Sequence, residues 1–143
     1  MGYFVSTSEI DVKIPLAKAD AALIEMKRIN GPEFDRLKRG GSWGPSGKSS
    51  VWHSWMPESF DEFTSIVEFL ECVGFSGTKI VDDFIVFGNY DNKTGNEDVF
   101  LHFLAPFIVA GSYINWRGED GEMWRQEFDG NAVKTLEAEI HWR

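Results

Sequence analysis

The sequence predicts a single α+β domain over residues 1–143: an antiparallel or mixed sheet, about three helices on one face, and a C-terminal three-stranded antiparallel meander. Three observations predict it. The last third reads as strands Ser112–Arg117, Glu122–Phe128 and Ala132–Trp142, joined by turns containing Gly118-Glu119-Asp120-Gly121 and Asp129-Gly130-Asn131. Apolar residues recur at helical spacing in segments further upstream. A chain of 143 residues, 43% hydrophobic and without a linker or repeat, suits one sizeable core.

Residues Glu9 to Ile14 alternate, with Ile10, Val12 and Ile14 on one face and Glu9, Asp11 and Lys13 on the other, as in a half-buried strand. Pro15 suits a first helical turn, and Leu16, Ala19, Leu23, Met26 and Ile29 then stripe a helix that Asn30-Gly31-Pro32 stops. Glu33–Arg39 reads as a short basic helix ending at Gly40-Gly41. A Gly/Ser-rich loop over 40–50 leads into a short strand, Val51–Trp55, closed by Pro57. Ser59 and Glu62 form a capping box for a helix striped by Phe60, Phe63, Val67, Leu70 and Val73. Lys79–Val81 and Phe84–Tyr90 read as strands paired through Asp82-Asp83. Thr94 and Glu97 form a second box for a helix over 96–109, which Pro106 kinks or shortens. In the meander, Ile114, Trp116, Trp124, Phe128, Leu136, Ala138, Ile140 and Trp142 form the core face. Tyr113, Asn115, Arg117, Arg125, Glu127, Glu137, Glu139 and His141 form the other, with a cross-strand salt ladder among the arginines and glutamates.

Composition narrows the function. A net charge of −9 argues against general nucleic-acid binding. The single cysteine, Cys72, excludes an internal disulfide and, with no visible signal peptide, points to the cytoplasm. The longest apolar run, near Val99–Ala110, holds His102 and Pro106 and is too short to span a membrane.

One stretch departs from this acidity. Between Lys27 and Trp55 lie Lys27, Arg28, Arg36, Lys38, Arg39 and Lys48 against Glu33 and Asp35, a balance of +4 that leaves −13 on the remainder. Trp43, Trp52, His53 and Trp55 share it. Arg36, Lys38, Arg39, Trp43, Lys48, Trp52, His53 and Trp55 are therefore the candidate ligand-binding residues, for an anionic or π-rich partner. Gly47-Lys48-Ser49 is no nucleoside-triphosphate loop: Ser42 stands where its first glycine belongs, and a short helix rather than a strand precedes it. His53, His102 and His141 lack metal spacing; His102 reads as a core or boundary residue. Asp91–Asp98 puts Lys93 at a calcium-ligand position. No cofactor, metal or catalytic constellation is expected.

The chain resembles a group of small proteins from bacteriophages and bacterial genomes that carry no assigned activity. The likeness rests on Met1-Gly2-Tyr3, Ile14-Pro15, Leu37-Lys38-Arg39-Gly40-Gly41-Ser42 and Trp52-His53-Ser54-Trp55. It continues through Gly111-Ser112-Tyr113-Ile114, Gly118-Glu119-Asp120-Gly121, Trp124-Arg125 and Trp142. The resemblance implies a phage-borne accessory protein acting in the host cytoplasm.

These readings favour a non-enzymatic binding protein, an accessory or anti-defence factor that inhibits or sequesters a host protein or a small anionic or nucleotide ligand. The alternative is a small hydrolase or transferase on a phosphorylated substrate, with His53 as acid/base and Lys48 steadying phosphate charge. A homodimer, formed through a sheet edge or exposed aromatics, is the default mode of self-association.

Overall fold

A computed structural model describes residues 3–38, 40–44, 47–52 and 55–138, with backbone alone at 40–44 and 47–51. In chain order the strands are β1 Phe4–Asp11, β2 Lys13–Pro15, β3 Gly40–Gly44, β4 Gly47–Val51, β5 Phe75–Ser76, β6 Lys79–Val81, β7 Phe84–Val86, β8 Asn89–Lys93, β9 Tyr113–Gly118, β10 Met123–Phe128 and β11 Val133–Glu137. The helices are α1 Ala19–Ile29, α2 Ile66–Val73 and α3 Glu97–Leu104, with 3-10 turns at Leu16–Lys18, Pro32–Leu37 and Ala105–Phe107.

The main sheet has six strands in the order β11-β10-β9-β1-β8-β5, each antiparallel to its neighbours. The three α-helices pack beside its inner face, where Val5, Tyr90, Ile114, Trp116 and Phe128 are buried. A smaller antiparallel sheet runs β2-β7-β6, and β3-β4 form a separate hairpin. The fold is α+β, and its C-terminal end is the expected meander.

Two expected strands are each divided between sheets. Glu9–Ile14 belongs to β1 before Val12 and to β2 after it; Phe84–Tyr90 divides into β7 and β8 around Phe87-Gly88. The crossings lie side by side, with Phe87 N–H donating to the Val12 carbonyl at 3.0 Å. Val12 is fully buried and Phe87 nearly so. The alternating pattern survives the switch because each half keeps its apolar face on the same core.

Helix α1 buries Ala22, Leu23, Met26 and Ile29, whereas Leu16, in the preceding 3-10 turn, is exposed. Helix α2 begins at Ile66 rather than near Phe60. Ser65 is its N-cap, accepting from Glu68 N–H at 3.1 Å, while Glu68 reaches back to Thr64 N–H at 3.1 Å. Ser59 instead accepts from Asp61 N–H in a local turn. The later Ser-x-x-Glu wins because its helix buries Ile66, Phe69, Leu70 and Val73 together. Phe60 and Phe63 reach the same core from irregular chain. Their rings join Phe69 and Phe100 in edge-to-face and tilted contacts of 5.1–6.4 Å.

Pro106 ends the third helix early, as a 3-10 turn after Leu104. At its start Thr94 bonds side chain to side chain with Glu97, and Gly95 N–H donates to Glu97 Oε2 at 2.7 Å. Thr94 is therefore not the N-cap; Asn96 holds that position. Glu97 is buried, and burial pushes its carboxyl above the ordinary 4.5 despite these two donors. A folded value above the unfolded one means the folded chain retains a proton that the unfolded chain releases. Stability from this group is thus fully present below the ordinary value and is lost as pH rises through the raised one. Urea unfolding across that window should show this downward slope in the wild type and its removal in Glu97→Gln.

In the meander, Ile114, Trp116 and Phe128 are buried, Trp124 and Leu136 are half-buried, and Ala138 is exposed. Ile140, Trp142, Glu139 and His141 lie outside the described residues. Gln126 shares the inner face: it accepts from Trp116 Nε1–H at 2.7 Å and donates to Asp98 at 3.0 Å. On the outer face no ion pair among the described residues crosses between strands, and a local set forms around Arg125 instead. Arg125 pairs along its own strand with Glu127 at 2.8 Å, donates to Asn115 and stacks 4.1 Å from Tyr113.

Candidate functional site

The basic segment begins where α1 ends. Asn30, at the C-cap of α1, bonds to three separate parts of the chain. Its Oδ1 accepts from Trp52 Nε1–H at 3.0 Å, its Nδ2–H donates to the Glu58 carbonyl at 2.9 Å, and its backbone carbonyl accepts from Lys38 Nζ at 2.7 Å. Lys38 and Trp52 flank the β3–β4 segment in sequence, two residues before it and one after. One asparagine therefore ties both stems of the hairpin to the end of a core helix. From α3, Asn96 adds a bond to the Leu37 carbonyl at 2.9 Å.

The expected Gly/Ser loop over 40–50 is thus a two-stranded ribbon. Its register sets Gly40 opposite Val51, Gly41 opposite Ser50, Ser42 opposite Ser49, Trp43 opposite Lys48 and Gly44 opposite Gly47. The expected strand Val51–Trp55 ends at Val51, and Trp52 lies in a bend. Ser42, Trp43, Ser49, Ser50 and Val51 tolerate extended backbone, while the glycines beside the tip permit a tight reversal.

The candidate residues separate into supports and surface. Trp52 is fully buried, its ring 5.1 Å from Phe100, and so belongs to the core. Lys38 is nearly buried, with only 4% of its side chain exposed; it pairs with Asp35 at 2.8 Å and sits 5.9 Å from the Trp52 ring centroid. Its charge is already compensated. Trp55 is half-buried, and its Nε1–H donates to the Cys72 carbonyl at 2.9 Å. Arg36 is exposed and forms no ion pair among the described residues. The backbones of Trp43 and Lys48 pair in register on the hairpin. Arg39 and His53 lie outside the described residues.

Other cations of the segment are also engaged. Arg28 holds Glu25 through two bonds of 2.7 and 2.8 Å and lies over the rings of Phe34 and Phe103. Glu25 is correspondingly held below the ordinary carboxyl value, first by that Arg28 bond. Lys27 reaches the Asp61 carbonyl at 3.4 Å. The net positive charge of the sequence segment is therefore larger than its uncompensated surface charge.

Elsewhere, His102 is exposed on α3 and packs edge-on to Phe103 at 5.3 Å, rather than lying in the core. Burial raises the Cys72 thiol, with Glu68 adding to the effect, so thiolate chemistry is disfavoured there. No group of three or more metal-ligating side chains occurs among the described residues. No helix among them is long and apolar enough to cross a membrane. Asn30 is the positioning residue that sequence reasoning missed; Asn30-Gly31-Pro32 read only as a helix stop. Comparison with protein-family models, curated proteins and solved structures finds no match.

Proposed function

We propose that this chain is a non-enzymatic binding protein whose contact surface is the β3–β4 hairpin with the adjoining Arg36. The observation that carries the reading is the anchored ribbon. Trp43 and Lys48 stand opposite each other near its tip, while Asn30 fixes Lys38 and Trp52 at its base. A ring and a cation at neighbouring positions suit a ligand with a π face or apolar group beside negative charge. A fixed base lowers the entropy lost on capture. Lys38, Trp52 and Trp55 act as supports, and Arg36, Trp43 and Lys48 as contacts. The phage resemblance makes the partner a component of a host cell, either a protein or a nucleotide signal that the chain sequesters. The biological role is then inhibitory, in keeping with an accessory anti-defence factor.

The contact set is tested with Arg36→Glu/Lys48→Glu and with Trp43→Ala. Partner capture from host lysate should weaken about tenfold or more in each, the scale of one or two charge-assisted or stacking contacts. Unfolding free energy should stay within about 0.5 kcal/mol, as for surface substitutions. Unchanged capture in both variants sinks the placement. Calorimetry against cyclic and linear nucleotides decides the partner class: heat that disappears in the variants identifies a nucleotide, and silence throughout leaves the protein.

A further inference from the structure

We propose that Asn30-Gly31 is a self-modification site guarded by the hairpin base, and that deamidation of Asn30 ends the hairpin's anchorage irreversibly. Among the asparagines of the chain, Asn30 alone is followed by glycine. With no side chain on Gly31 to hinder it, the Gly31 nitrogen can close a succinimide ring on the Asn30 side chain. In that step Gly31 N bonds to Asn30 Cγ, the Cγ–Nδ2 bond breaks, and Nδ2 leaves as ammonia with the proton from Gly31 N–H. Water, the only co-reactant, then opens the ring. Cleavage of the new N–Cγ bond gives aspartate with the normal backbone. Cleavage of the original peptide bond leaves the chain running through Cγ, as isoaspartate.

The folded chain blocks each movement this reaction needs. Asn30 caps α1 in helical backbone, with φ −77° and ψ −5°, and Gly31 N–H is held by the Arg28 carbonyl at 3.2 Å. The amide is not free to swing toward that nitrogen. Trp52 Nε1–H holds its Oδ1 at 3.0 Å, and its Nδ2–H donates to the Glu58 carbonyl at 2.9 Å. Asn30 is half-buried and Trp52 fully buried. Ring closure therefore waits for an opening in which Trp52 and Glu58 part from Asn30, the same opening that frees the hairpin. Neither product can re-form the base. In aspartate an oxygen replaces the Nδ2–H donor and faces the Glu58 carbonyl, two acceptors with no proton between them. In isoaspartate an extra methylene enters the backbone at the end of α1 and shifts the carbonyl that accepts from Lys38 Nζ at 2.7 Å. Each opening thus has a one-way exit, and the base sets the lifetime of its own anchorage. The consequence for partner capture, though not the chemistry, rests on the binding role proposed for the hairpin.

Peptide mapping by mass spectrometry follows the amide-to-acid mass increase at Asn30 in the full chain, held in mildly alkaline buffer beside a denatured sample. The native rate should lie about a hundredfold or more below the denatured one, because it tracks the population of the open form. Trp52→Phe removes one bond to the amide and should raise the native rate about tenfold. Gly77→Ala, which weakens the fold outside the hairpin base, should leave it unchanged. Gly31→Ala should suppress the reaction in every sample. Its backbone, at φ −61° and ψ 160°, suits alanine, and a Cβ there meets the flexible Glu33 carboxylate at 2.7 Å, which can move aside. Asn30→Asp reproduces one product and should quicken amide hydrogen exchange in β3 and β4 about tenfold, a readout that needs no partner. Equal native and denatured rates overturn the guarding. Equal acceleration by Trp52→Phe and Gly77→Ala assigns the opening to global unfolding and overturns the part played by the hairpin base. Unchanged exchange in Asn30→Asp overturns the loss of anchorage.

Discussion

Trp52→Ala should lower the unfolding free energy by about 3–5 kcal/mol, a loss typical of deleting a fully buried aromatic side chain. Trp52 is 0% exposed and packs beside Phe100, which also contacts Phe60 and Phe69. The substitution empties one side of that aromatic cluster, which cannot collapse without moving α2 and α3 together. It also removes the donor to Asn30 Oδ1, leaving an amide oxygen short of its partner at a further cost of about 1–3 kcal/mol if water cannot enter. Against a total stability of about 5–15 kcal/mol, the variant should sit near its unfolding midpoint in mild urea. Trp52→Phe separates the two contributions: it retains much of the ring volume and loses only the N–H, so it should fall well short of the alanine loss. Urea unfolding monitored by far-ultraviolet circular dichroism measures both. A Trp52→Ala loss below about 1 kcal/mol would place this ring outside the core. Because Asn30 also holds Lys38, lost partner capture in Trp52→Ala reports the hairpin's anchorage rather than a contact with the ligand.

The same residue shows where sequence reasoning reaches and where it stops. Alternation along the expected strand Val51–Trp55 sets Trp52 opposite in direction to Val51, His53 and Trp55 but does not say which set faces inward. Burial was settled by a polar residue 22 positions earlier, Asn30, through a bond with no local periodicity. Charge counting failed at Lys38 for a related reason. The cation was visible, but its compensation by Asp35 and the Asn30 carbonyl depends on the 3-10 turn between them. Segments with one persistent apolar face were the most legible. The Ile80-to-Ile85 hairpin, helix α1 and the C-terminal meander all declare themselves through spacing and turn residues. The β1/β2 and β7/β8 divisions do not, because an uninterrupted alternation is compatible with one strand or with two that serve different sheets. Gln126 lay at an inward position between Trp124 and Phe128, so strand parity alone pointed to it. Its polarity concealed it until Trp116 Nε1–H and Asp98 accounted for both ends of its amide.

Gly88→Ala should be comparably severe, although it adds one methyl group and leaves the hydrophobic pattern untouched. A Cβ built at Gly88 falls 1.8 Å from the Ser76 carbonyl oxygen, 2.4 Å from its carbon and 2.7 Å from Thr78 N. All three are backbone atoms, so no side-chain rotation relieves the overlap. Nor can the neighbouring segment withdraw freely. Gly88 N–H donates to Thr78 Oγ1 at 3.0 Å, that hydroxyl donates to the Phe75 carbonyl at 2.6 Å, and Phe75 pairs across the sheet with Tyr90. Phe75 and Tyr90 are each 0% exposed, and Phe87 is 3% exposed. Separating the backbones therefore breaks two hydrogen bonds and disturbs the place where the chain leaves the small sheet for the large one. A loss of about 3 kcal/mol or more is expected, at or beyond the upper end of ordinary overpacking, with a fall in Tm of about 10 °C. Gly77→Ala is the informative comparison, in the Ser76–Thr78 turn that Gly88 approaches. Its Cβ meets nothing within 4 Å, but φ is +86°, so its penalty should come from backbone conformation alone and remain about 1–2 kcal/mol. If thermal and urea unfolding rank Gly77→Ala as the more damaging of the two, close backbone approach is not what requires glycine at position 88. The expected order, with Gly88→Ala far lower, would make close approach to the Ser76 and Thr78 backbone the reason position 88 takes glycine.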